Sequence, residues 1–296
     1  SRGVSRFGSL CRRDFQVGRS LGRKGLATRQ KNRQDLAARV AACLAALPLP
    51  AAAKDASWPA AVSANYKLYF AGFEVGRYDF ASTAEGDRYQ AKGSAAVSAL
   101  FGAFTWKGGI ESTGTLEPAA PRPAGYKLDF KSGKKRGSVA MGFAGGAVTS
   151  VTLVPEKPPK PDAVPVRTQH LQGVVDPMSS ILAITHAGGT DPCRRRIAIF
   201  DGKVRFDLAF SPKGSERIAE PGGAPFELKV CRVKYLPVSG HRPKDFVKPW
   251  VDYDSIEIAL RPVPAANIFV PYRVTISTTL GAAVMRANAV NITAAN

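Results

Sequence analysis

Histidine and methionine are scarce in this sequence, with three of each in 296 residues, and acid is outnumbered by base, 23 against 42. Each shortage removes a class of function. No run of about 18 or more apolar residues occurs, so no membrane-spanning helix is expected. There is no Gly-x-Ser-x-Gly elbow, no His-Glu-x-x-His helix and no phosphate-binding Gly-rich loop, which removes the enzymes those motifs identify. Zinc-finger spacing, a basic zipper and an aromatic RNA-binding signature are also missing. The excess of base is therefore not read as a nucleic-acid footprint. It is also uneven: residues 1–53 hold 11 Lys and Arg against 2 Asp and Glu, and the remainder 31 against 21. About half of the net charge of +19 thus belongs to the first fifth of the chain.

What is present there reads as a leader. A basic segment, Arg29 to Arg39, precedes the apolar stretch Val40 to Pro50, and Ala51-Ala52-Ala53 follows before Lys54. A basic region, a short apolar region and a small-residue site describe a secretory signal peptide, with the mature chain starting near Lys54. Val40-Ala41-Ala42-Cys43 resembles a lipoprotein box, but its cysteine sits near the start of the apolar region. Arg12-Arg13-Asp14-Phe15 resembles a twin-arginine signal placed too far upstream. With no Met before Met141, a start at an alternative codon, Val17 or Leu26, would leave a more ordinary leader. Export to the periplasm of a Gram-negative envelope is the expectation.

Cysteine is equally sparing. Cys11 and Cys43 fall in the leader, leaving Cys193 and Cys231. An isolated pair in an exported chain reads first as a disulfide.

After Trp58-Pro59 the sequence becomes short alternating segments broken by Gly, Pro and Asp, from Ala64 to Phe70 through to Ala282 to Ile292. Such a series argues for a mainly β fold and against a parallel α/β one. Asp201-Gly202 reads as a two-residue type I′ turn, which pairs Phe200 with Lys203, Ile199 with Val204, Ile197 with Phe206 and Arg196 with Asp207. Alternation then puts Ile197, Ile199, Val204, Phe206 and Leu208 on one apolar face, with Arg196, Lys203, Arg205 and Asp207 facing water. One segment breaks the β pattern. Asp176-Pro177 is an N-cap followed by Pro at the first helical position, and Gly188-Gly189 is a stop. A short helix near 177–187 is expected to pack on the sheet. A Lys-Pro-Pro-Lys-Pro connection within Pro155 to Pro165 divides residues 54–296 into sub-lobes at 58–155 and 166–296, without making them independent domains.

Candidate chemistry is thin. His170, His186 and His241 match no ligand spacing, so neither metal nor cofactor is expected. Ser239-Gly240-His241 with Asp252 and Asp254 supplies nucleophile, base and carboxylate types, a trio that a chain this long contains by chance. Arg194-Arg195-Arg196 has the chemistry to meet a lipid phosphate, although a solvated basic face is the plainer reading. Tyr66, Phe70, Phe73 and Tyr78 read as core residues rather than a ligand cage.

The run Tyr66 through Phe73-Glu74-Val75-Gly76, then Asp176-Pro177-Met178-Ser179-Ser180-Ile181-Leu182, Pro192-Cys193, Phe200-Asp201-Gly202, and Cys231 followed by Pro237 and Gly240, resembles an exported bacterial family known as domain of unknown function 3108. The resemblance spans most of residues 60–290. It implies an envelope location and no established enzyme activity. By looser analogy with periplasmic lipid and lipoprotein carriers it suggests a large, strongly curved antiparallel sheet, an open half-barrel around one helix.

Three functions follow as expectations. The first is a non-catalytic periplasmic protein holding a lipid or a lipidated partner against its concave face, with Ile197, Ile199, Val204 and Phe206 as the apolar wall and Arg194 and Arg195 at the rim. The second is an interaction protein that supports the envelope together with other envelope proteins and has a packed interior. The third is an envelope-polymer hydrolase.

Overall fold

Alternation along the strands sets the architecture. In β1 (Ala61–Phe70) Ala64 and Tyr66 are buried while Asn65 and Lys67 are exposed, and in β3 (Arg88–Ala99) Tyr89 and Ala91 are buried between exposed Arg88, Gln90 and Lys92. A period of two with one apolar face is the signature of a sheet covered on one side. The structure is a computed structural model and describes residues 58–99, 102–118, 120–156, 158–186, 191–220, 222–246 and 254–294. The expected leader and signal peptide at 1–53, the expected mature start at Lys54, the expected helix stop at Gly188-Gly189, and Asp252 lie outside these residues.

The remaining strands are β2 (Phe73–Glu85), β4 (Phe104–Leu116), β5 (Pro121–Ser132), β6 (Lys135–Ala144), β7 (Ala147–Val154), β8 (Arg196–Phe200), β9 (Arg205–Ile218), β10 (Phe226–Ser239), β11 (Ile256–Val263), β12 (Ile268–Thr278) and β13 (Gly281–Thr293). Among the described residues they form one antiparallel sheet of 13 strands in the order β7-β6-β5-β4-β3-β2-β1-β13-β12-β11-β10-β9-β8. The stretches 58–155 and 166–296 are the two halves of this one sheet, joined where β1 pairs with β13 from Ala61↔Thr293 to Phe70↔Ala283.

The sheet is strongly curved around helix α1 (Pro177–Thr185). The helix packs against β3, β4, β5, β8 and β12, and β5 and β8 stand ten places apart in the strand order. In a flat sheet, ten spacings of about 4.8 Å would separate them by about 48 Å. A helix only about 10 Å wide touches both because the sheet curls round it. The two edges do not pair directly. Gln172 bridges to Ala147 at the β7 edge, and Val175 bridges to Ile199 at the β8 edge. Gly173 N donates to Gly146 O at 2.8 Å, and Val175 N donates to Ala198 O at 2.9 Å. Residues 172–175 thus form a strap across the gap, satisfying edge groups that would otherwise invite pairing with another chain.

Local chemistry starts the helix. Asp176 caps it, its Oδ1 accepting from Met178 N and Ser179 N at 2.9 Å each, with Pro177 next. Its N-terminal turn sits on a residue without a side chain: a Cβ added at Gly93 would lie 2.7 Å from Met178 Cε. Thr185 is its last residue, and His186 turns extended and bridges to Ile268.

The β8–β9 hairpin departs from the expected register. Phe200 pairs with Arg205, Ile199 with Phe206 and Ile197 with Leu208, so the loop is Asp201 to Val204 and not Asp201-Gly202 alone. Asp201 accounts for it, because its Oδ1 accepts from Lys203 N and Val204 N at 2.8 Å each, closing an Asx-type turn. A shift of two preserves the faces, and Ile197, Ile199, Phe206 and Leu208 share one. The opposite face is not open to water as expected. Phe200, Arg205 and Asp207 on it are all buried, and Asp207 holds the guanidinium groups of both Arg196 and Arg205.

Candidate functional site

The concave face divides into a part that the helix fills and a part that it leaves open. Met178 and Leu182 lie in one buried cluster with Phe80, Tyr89, Tyr126, Val139 and Met141. Ala183 and Ile184 pack on a second, made by Cys193, Ile197, Ile199, Phe210, Cys231, Val233 and Ile258. The space left beside the helix, between Trp58, Leu116, Ile181 and Ile268, is about 30 Å³, room for no more than a water or two.

The residues expected from sequence to line a ligand site are in this filled part. Ile197 and Ile199 are buried under the helix, Phe206 is partly buried beside them and stacks on Tyr235, and Val204 lies in the hairpin loop. Cys193 and Cys231 are joined, as their isolation in the sequence implied, and the bridge is buried within the same cluster. Arg195 does not reach a rim. Its Nη1 donates to Ala183 O at 2.6 Å and His186 O at 2.8 Å, so it caps the C-terminal carbonyls of α1. Burial holds its pKa below the usual arginine value. Arg194 projects to solvent beside Asp191.

The histidines are dispersed. His186 stacks on Trp58 with ring centroids 4.2 Å apart, and its Nε2 donates to Pro118 O at 2.9 Å. Burial, then the charge of Arg195, keeps its pKa below the ordinary histidine value, against the Pro118 bond. His170 Nδ1 accepts from Arg167 N, and His241 bonds Tyr235 OH. Among the described residues no group of three or more His, Cys, Asp or Glu is placed to hold a metal. Ser239 is buried, whereas Asp254 is exposed and pairs with Lys234.

A polar network that sequence reading did not assemble sits at the helix start. Ser112 Oγ donates to Asp176 Oδ2 at 3.0 Å, Ser179 Oγ donates to the same oxygen, and Tyr89 OH bonds Ser179 Oγ at 2.6 Å. Asp176, Ser112 and Ser179 are each 1% exposed or less. Burial pushes Asp176 above the usual carboxylate range, against these hydrogen bonds. Burial first, then Asp176, pushes Tyr89 up to about 12. The network is sealed from solvent, and its groups satisfy one another.

Toward the end of the sheet away from Thr185 no other described element covers the concave face. Tyr66 and Tyr78, cross-strand partners with stacked rings, mark the border, Tyr78 OH lying 3.9 Å from Met178 Sδ. One step beyond, the register places Val274, Met285, Leu68, Gly76, Val97 and Trp106 in a row across β12, β13, β1, β2, β3 and β4. Beyond that row lie Ile276, Ala283, Phe70, Ala99 and Phe104. They bound an open trough of about 430 Å³, within the range of small-molecule sites, and its lining residues are all apolar except for the Tyr69 hydroxyl. At its mouth the hairpin ends carry large exposed side chains: Phe73 is 77% exposed, Leu280 64% and Phe104 47%. Phe70 and Phe73 were expected in the core, and they instead line and rim this trough. The available signal was an apolar residue at a hairpin end, where a polar one would be ordinary, repeated at three neighbouring turns.

With the geometry in place, comparison identifies the family. The family described as protein of unknown function (DUF3108) matches residues 65–288, and the chain belongs to it. Comparison with curated proteins finds no match.

Proposed function

We propose that this chain is a non-catalytic envelope protein that holds an acyl-chain-like ligand in the trough between β1–β4 and β12–β13. The apolar lining of that trough carries the reading: open hydrocarbon surface of this extent attracts hydrocarbon. Burying about eight methylenes would contribute about 6 kcal/mol, from which the loss of ligand freedom is subtracted, so a long acyl chain is favoured over a short one. A periplasmic location is part of the proposal, supported by the leader-like sequence of residues 1–53 and by the Cys193–Cys231 bridge, which suits an oxidising compartment. The helix-filled interior favours a second reading, a scaffold that engages other envelope proteins, in which the open trough would receive a partner's side chains.

Displacement of a fluorescent fatty acid from delipidated protein separates the two. Saturable binding is expected, weakened about tenfold or more by Ala283→Phe, which fills the trough, and unchanged by Ile199→Val under the helix. Absence of any saturable probe binding, with no lipid retained in native mass spectrometry, would leave the scaffold standing.

A further inference from the structure

We propose that the open end of the sheet docks on an anionic phospholipid bilayer, so that the trough opens into lipid. The inference builds on the trough reading and is tested apart from it. Two observations carry it. The first is the set of apolar tips at three neighbouring hairpin ends, Phe73, Phe104 and Leu280, exposed at one end of the sheet. The second lies on the outer face of the same end. Lys107 pairs directly with Lys131, and Lys131 with Arg136, so three cations stand side by side across β4, β5 and β6. Lys134 and Lys135 extend the charge into the β5–β6 turn. None of these five has a carboxylate at ion-pair distance among the described residues.

Like charges directly opposite one another destabilise a sheet. Folding gains nothing from the row, and an external anion relieves it. Lys107 is three residues from Phe104 along β4, about 10 Å, so apolar tips and cations reach one plane together. Bilayer surfaces combine that pair of features, hydrocarbon beneath a layer of phosphates. A soluble polyanion would use the cations and leave the tips idle.

Sedimentation of the full chain with phosphatidylcholine vesicles, with and without phosphatidylglycerol, tests this. Binding is expected only with phosphatidylglycerol, and it should weaken as salt rises. The triple variant Lys107→Ser/Lys131→Ser/Arg136→Ser should lose affinity on the order of 100-fold, at about fivefold per cation. Its unfolding midpoint without vesicles should stay the same or rise, because repulsion has been removed. Phe73→Ser/Leu280→Ser keeps every charge and should also weaken vesicle binding. Equal binding to both vesicle types overturns the proposal, as does wild-type binding by the triple variant. Salt-sensitive binding to heparin that matches vesicle binding and ignores Phe73→Ser/Leu280→Ser overturns it in favour of a polyanion. Fatty-acid displacement without vesicles reads the trough alone, so intact probe binding with no vesicle binding rejects docking and leaves the proposed function.

Discussion

Replacing Cys193 and Cys231 together by alanine is expected to lower the free energy of unfolding by about 4 kcal/mol, measured as a fall in the urea midpoint. The bridge closes 38 residues, and the chain-entropy relation for a loop of that length gives about this value. Its position argues against a smaller effect. Cys231 in β10 pairs with Ile258 of β11, and Cys193 lies just before β8. The cross-link therefore ties the edge hairpin to an inner strand pair and holds Arg195 against the end of the helix. Many domains have only about 5–15 kcal/mol in hand, so the loss is a large fraction of the whole. Thiol reduction of the wild type should reproduce most of it. A midpoint insensitive to both reduction and substitution would show that the unfolded chain is no freer without the bridge.

The difference between what was legible and what was not follows the reach of each interaction. Asp176-Pro177 announced the helix start because capping is settled within three residues, and the disulfide was legible because elimination left one pair. The alternating segments read from the sequence, from Ala64 to Phe70 through to Ala282 to Ile292, correspond to strands, because a covered sheet imposes a period of two on every strand in turn. The hairpin register was missed because Asp201-Gly202 fits two turns. Only the side-chain bonds from Asp201 to Lys203 and Val204 select the longer one. Arg195 read as part of a basic run, and its role depends on carbonyls of Ala183 and His186 brought to it by the fold. The trough was out of reach for the same reason. Leu68 and Met285 face one another directly, from opposite ends of the folded chain, and no local pattern couples them.

The buried network at the helix start should be the other dominant determinant of stability, and it can be dissected by two substitutions at one position. Asp176→Ala removes the N-cap, worth about 1 kcal/mol. It also strips an acceptor from the buried Ser112 and Ser179 hydroxyls, at about 1–3 kcal/mol for each left unsatisfied. A total loss of about 3–7 kcal/mol is expected. Asp176→Asn keeps the oxygen that accepts from Met178 N and Ser179 N, and its amide can donate to the serine hydroxyls, which accept as well as donate. It should stay within about 1 kcal/mol of the wild type near neutral pH. The two proteins should diverge with pH in a defined direction. Burial raises the folded-state pKa of Asp176 above its unfolded value of 3.8, so the folded state binds the proton more tightly. The wild type is then favoured below 3.8 and loses that advantage as pH rises through the raised folded value, whereas the Asn variant has no such group to titrate. Plotted against pH, the stability of wild type minus Asp176→Asn should therefore fall from acid toward neutral and then level off. A difference that rises over that interval would mean that the four hydrogen bonds to the carboxylate outweigh its desolvation, and that Asp176 is held ionised in the core.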